Sequence, residues 1–208
     1  MTDMILKQNI DKQQLSIFIR DLSSNLNVNL KHMIDTYSGI EYDEFVCMDT
    51  DLYDGVFNKL IIFDRFRDGQ NIFFDLDVVI YNKLPDLTAK DLTLVHCWWR
   101  DAWHTPLNSS IMSWTGDCSH VYQKFLQQED YYLLKYNKGI DEFVYKEIEY
   151  KTFDHVCYTI QGNEYAPKDP KYSMCLLNQR QFLMEPGWQG WWKNYFISDM
   201  ALTTSKGD

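Results

Sequence analysis

Apolar positions along the chain alternate between helical spacing and short, nearly continuous runs. Leu26, Leu30, Met33, Ile34 and Tyr37 recur three or four residues apart, and Gly39 follows where a left-handed residue ends such a helix. A short strand is expected before it at residues 14–20 and another after it at residues 44–48, with loop and cap residues at 21–25. Strand, helix, strand in that order predicts a right-handed crossover between parallel strands. Residues 55–63 place Val56, Phe57, Leu60, Ile61 and Phe63 on a short helix. After a turn at Asp68-Gly69, residues 71–81 form a long apolar strand, interrupted by Asp75 and Asp77. Further strands are predicted at 92–99, 107–114, 152–160 and 173–177. Helices are predicted at 117–128, capped by Asp117, and after Gly139, with Asp141 and Glu142 in the first turn where carboxylates suit the helix dipole. The fold class is α/β with a mixed, mostly parallel central sheet flanked by helices. One domain is expected over residues 1–200, its halves about 1–82 and 83–200, followed by a disordered tail or linker start at 201–208.

Composition narrows the picture without changing it. With 208 residues, 45% hydrophobic and 24% charged, the chain has the makings of a globular core that needs no disulfide or structural metal. The five cysteines are scattered, odd in number and without a CxxC pair, which predicts reduced, mostly buried thiols. No secretory pattern opens the chain and no apolar run has the length of a membrane span, so a cytoplasmic location (the host cytoplasm if viral) is expected. The formal charge of −10 argues against nucleic acid as a partner.

The chemistry begins at Asp75-Leu76-Asp77. On an extended chain, side chains two apart share a side. Two carboxylates held so at the end of a buried run repel, and each is costly there unless cations or donors compensate it. A hard divalent cation is the simplest reading.

Other segments add to this motif in a recognisable order. Asn58-Lys59 precedes the strand. Leu107-Asn108-Ser109-Ser110-Ile111-Met112-Ser113-Trp114 follows it, and Gly139-Ile140-Asp141-Glu142-Phe143-Val144 comes after a helix. In these residues, spread over about 15–180, the chain resembles GT-A-fold (Rossmann-like) glycosyltransferases that use a nucleotide-sugar donor, of the kind encoded by large algal viruses and by bacteria. The resemblance implies that Asp77 binds Mn²⁺ or Mg²⁺, with Asp75 touching metal, ribose or both. The ion would stabilise the charge that grows on the departing diphosphate. It implies Lys59 near the donor phosphates or sugar, and Asn108 and Ser109 along the donor-sugar pocket. Asp141 and Glu142 would lie beside the reactive carbon, a carboxylate there serving as general base; Glu142, where retaining relatives often carry Gln, favours inversion. Arg20, Asp21, Asp49 and Asp51 follow the first two strands, where such sheets place base- and ribose-binding loops.

The expected activity is transfer of glucose, galactose or rhamnose from a UDP-sugar to a hydroxyl of a glycan acceptor. Trp98, Trp99, Trp103 and His104 form an aromatic loop suited to stacking on that acceptor. One departure stands out. Many relatives supply a third metal ligand from a late His, whereas residues 174–180 here read Met-Cys-Leu-Leu-Asn-Gln-Arg. Alternatives are a non-catalytic carbohydrate-binding domain and a sugar nucleotidyltransferase, although the latter's Gly-rich basic phosphate loop is missing. The donor sugar, stereochemical outcome and oligomeric state stay open, as do further domains C-terminal to the chain.

Overall fold

The computed structural model describes residues 3–8, 16–17, 25–42, 44–45, 55–75, 78–98, 105–153, 156–159, 174–176 and 194–195. The chain divides into two compact units that interleave along the sequence. One comprises Met1–Asp21, Glu41–Asp75 and Asp86–Asp154; the other comprises Leu22–Ile40, Leu76–Pro85 and His155–Asp208.

In chain order the strands are β1 (Asp3–Gln8), β2 (Ser16–Ile17), β3 (Glu44–Phe45), β4 (Gln70–Asp75), β5 (Val78–Ile80), β6 (Thr93–His96), β7 (Leu107–Thr115), β8 (Lys151–Phe153), β9 (Cys157–Thr159) and β10 (Met174–Leu176). The α-helices are α1 (Asn25–Met33), α2 (Ile62–Arg65), α3 (His120–Leu126), α4 (Glu129–Lys135) and α5 (Ile140–Glu147). A 3₁₀ helix, Gly55–Ile61, leads directly into α2.

The larger unit is built on a seven-stranded sheet in the order β2-β3-β1-β4-β7-β6-β8. The α/β class and the mixed sheet agree with the sequence pattern. Its mostly parallel character does not. The pairs β1–β3, β1–β4, β4–β7 and β6–β7 are antiparallel, and only β2–β3 and β6–β8 are parallel. Continuous apolar runs report burial on both faces, which parallel sheets usually have. Here β4, and β7 as far as Trp114, are buried throughout within antiparallel pairings. The predicted parallel relation of the first two sequence strands does hold, with Ser16 opposite Glu44 and Ile17 opposite Phe45. The N-terminal strand β1, which the periodicity did not mark, lies between β3 and β4.

The core of this unit joins the 3₁₀ helix, α2, α3 and α5 to the sheet through Phe57, Leu60, Phe63, Phe73, Trp114, Phe125 and Phe143. The Phe125 ring stacks on Phe57 at 5.4 Å and meets Phe143 edge-on at 5.8 Å. Buried Trp114 donates its indole N–H to the Phe66 carbonyl at 3.1 Å, so its polar end is satisfied. Helix α4, unmarked by the sequence pattern, follows α3 closely. Asp117 caps an Asx turn by accepting from the Ser119 amide at 2.7 Å, and α3 begins only at His120.

The smaller unit holds α1, a π-helical turn at Ile34–Ser38 and the three-stranded sheet β5-β10-β9. Strand β10 runs antiparallel to β5 and parallel to β9. Gly39 (φ 69°) ends the helical segment in the left-handed conformation that its spacing predicts. Ser38 Oγ donates to the Ile34 carbonyl at 2.6 Å, and the Ser38 carbonyl receives the Leu84 amide at 2.9 Å.

The expected strand over 71–81 is two strands. β4 ends at Asp75 in the larger unit's sheet, and β5 begins at Val78 in the other sheet. The period-two argument for Asp75 and Asp77 assumed one strand in one sheet; Asp77 itself lies outside the described residues. Likewise the strand predicted at 152–160 is β8 and β9, in separate sheets. The described cysteine side chains, Cys97, Cys118 and Cys157, are reduced and buried as expected. Burial pushes the Cys118 thiol up to about 11, with Asp117 and Asp91 adding to the shift. Among the described residues no helix is long and apolar enough to cross a membrane.

Candidate functional site

Four of the singled-out segments meet at one end of the β4–β7 pair. Asp75 is the last residue of β4, and Lys59 reaches it from the 3₁₀ helix. Lys59 Nζ hydrogen-bonds Asp75 Oδ2 at 2.7 Å and stands 2.7 Å from Oδ1, which itself has no hydrogen bond among the described residues. Both residues are buried, Lys59 4% and Asp75 7% exposed. The ammonium also lies 3.5 Å from Ser109 Oγ and 5.2 Å from the centre of the Phe73 ring. Removing one member of so buried a pair costs about 3–5 kcal/mol, because the other charge loses its opposite in a buried setting.

Why the strand β7 contributes here follows from its register with β6. Leu94 faces Met112 but Val95 faces Asn108, so the ladder skips at Ser109, Ser110 and Ile111. Side chains take up two amides at the irregularity. Ser109 N donates to Asp141 Oδ1 at 2.8 Å, and Ser110 N donates to Asn108 Oδ1 at 2.8 Å. Asn108 and Ser109 are buried, whereas Asp141 and Glu142 are half-buried. A carboxylate accepting a backbone amide is a charge-assisted bond, and it ties the start of α5 to the irregular part of the sheet.

Gly139 lets α5 start where it does. Its φ of 75° and ψ of −150° fall in a region that glycine alone adopts readily. A Cβ at this position would lie 2.1 Å from Val56 Cγ2 on the 3₁₀ helix. The backbone at the head of α5 therefore approaches the element that carries Lys59 at glycine distance. Glu142 Oε2 accepts from the Lys138 amide at 3.4 Å, leaving its carboxylate near the helix start.

The structure thus brings together Lys59, Asp75, Ser109 and Asp141, with Asn108 and Glu142 adjacent in sequence. Arg20, Asp21, Asp49, Asp51 and Asp77 lie outside the described residues, as do Trp99, Trp103 and His104. Trp98 is described and exposed. Among the described residues there is no group of three or more His, Cys, Asp or Glu side chains that could hold a metal ion. The donor set around Asp75 does not fit one either. Among the described residues it comprises one carboxylate, one hydroxyl and an ammonium already 2.7 Å from both carboxylate oxygens. The sequence pattern missed this pairing of Lys59 with Asp75, the irregular register that places Ser109, and the Gly139–Val56 approach. A lysine inside the apolar run Val56 to Phe63 was the available sign that a buried partner existed.

Compared with protein-family models, curated proteins and solved structures, the chain gives no significant match.

Proposed function

We propose that the protein is a glycosyltransferase that takes a hexose or deoxyhexose from a UDP-sugar and passes it to a glycan hydroxyl, on a fold of the GT-A kind. The observation that carries this reading is the convergence of Lys59, Asp75, Ser109 and Asp141. These residues come from separate segments that the resemblance to nucleotide-sugar glycosyltransferases had independently singled out. The mixed α/β sheet is compatible with that fold.

In this reading Asn108 and Ser109 line the donor sugar, and Lys59 contributes positive charge behind it. Asp141 is oriented by the Ser109 amide. Glu142, bound on one oxygen by the Lys138 amide, is the better candidate to accept the acceptor's hydroxyl proton. The divalent ion expected at Asp75 and Asp77 is not carried into the proposal through Asp75, whose charge Lys59 already meets. A non-catalytic carbohydrate-binding domain is the second reading. It is favoured by one observation: both aspartates in the cluster are engaged by groups of the protein itself.

The test is release of UDP from UDP-glucose, UDP-galactose and UDP-rhamnose, with and without a glycan acceptor. Glu142→Gln is expected to lower turnover by roughly 10²–10⁴-fold with little change in donor affinity. Donor binding without turnover in the wild type would select the carbohydrate-binding reading.

A further inference from the structure

A buried carboxylate at a strand end calls for a positive partner, and the resemblance supplies a divalent ion for that role at Asp75. The structure supplies something else. Lys59, sixteen residues earlier on a different element, stands 2.7 Å from both Asp75 oxygens and is itself 4% exposed. An ion ligated by either oxygen at roughly 2 Å would sit beside an ammonium that already approaches the same oxygen. Neither charge is placed to relax easily into bulk water, so their repulsion would be poorly screened.

We propose that Lys59 is the resident counter-charge of Asp75, and that Asp75 is not a metal ligand. The pair is a built-in salt bridge that pins the 3₁₀ helix to the end of β4, and any divalent-ion dependence of the protein originates from other groups. This inference does not rest on the glycosyltransferase reading, and its test uses no nucleotide sugar.

The experiment measures thermal unfolding midpoints of the wild type, Lys59→Met, Asp75→Asn and the double variant, each with and without Mn²⁺. Each single variant is expected to unfold roughly 6–20 °C lower than wild type, since each removes the opposite charge 2.7 Å from a buried partner. The double variant is expected to lose clearly less than the sum of the two single losses. Mn²⁺ is expected to shift the wild type and Asp75→Asn equally. Additive losses would overturn the proposal, and so would a Mn²⁺ stabilisation of the wild type that Asp75→Asn abolishes. Should the single variants fail to fold, calorimetric titration of Mn²⁺ into the wild type and the double variant decides: equal heats support the proposal, and heats seen only with the wild type contradict it.

Discussion

The two ends of the β4–β7 pair are both polar and both buried, yet they are built from different chemistry. At the Gln70 end the groups are neutral. Gln70 Nε2 donates to Ser113 Oγ at 2.6 Å and to the Trp114 carbonyl at 3.1 Å, while its Oε1 accepts from the Ala89 amide at 3.2 Å. Ser113 Oγ in turn donates to the Asn71 carbonyl at 3.0 Å. Amides and hydroxyls here take up one another's hydrogen bonds, which is what a structural latch between a loop and two strands requires. At the Asp75 end the groups are charged, drawn from four segments, and include half-buried carboxylates at a helix start. Charged groups are costly to bury, so the Lys59–Asp75 pair stands because each member compensates the other, and beside it lie half-buried carboxylates that a latch does not require. The contrast is what separates a candidate site from a polar core.

The largest expected effect is at the ion pair. Lys59→Met is expected to cost about 3–5 kcal/mol in urea unfolding. Gln70→Leu, which leaves neutral partners unsatisfied, is expected to cost about 1–3 kcal/mol. Equal losses would mean that the two ends are energetically alike. Gly139→Ala comes next. Backbone strain alone is worth about 1–3 kcal/mol, and the Val56 contact adds to it. The variant should also disturb the Ser109–Asp141 bond, seen as weakened hydrogen-exchange protection at the Ser109 amide, while the Gln70 end keeps its protection.

The smallest effect lies on the surface, at Glu147. The Tyr136 hydroxyl beside it, and Lys135 next, hold its carboxyl below the ordinary value of 4.5. A depressed carboxyl contributes stability that is fully present above the ordinary value and is lost as pH falls through the folded one. The stability difference between wild type and Glu147→Gln should therefore be constant above about pH 5 and shrink as the solution is acidified. A difference that grows on acidification would mean a raised carboxyl in place of a depressed one.

Much of the site was legible before the fold, and the reason is local chemistry. The first turn of α5 with Asp141 and Glu142, the helical run around Lys59, and the polar opening of β7 each follow from nearby residues. What was not legible depends on pairing partners. Burial marks a strand as interior but does not say which strand lies beside it or in which direction. So the apolar runs of β4 and β7 suggest parallel neighbours where the pairings are antiparallel, and the run over 71–81 does not reveal that β4 and β5 lie in different sheets. Nor does any local pattern show that Asp75 meets Lys59, sixteen residues earlier on another element. The skip in register opposite Leu94 and Val95 also had no local signature, although Asn108 and Ser109 were picked out on other grounds.

In the proposed function the charged end of β4–β7 handles a nucleotide-sugar donor while the neutral end only holds the fold. The most direct measurement is UDP release from a UDP-sugar by the wild type, Glu142→Gln and Ser113→Ala, each first shown to be folded. Turnover is expected from the wild type and Ser113→Ala, with Glu142→Gln reduced by roughly 10²-fold or more. No UDP release by the wild type from any of the three donors, or equal loss in both variants, would contradict it.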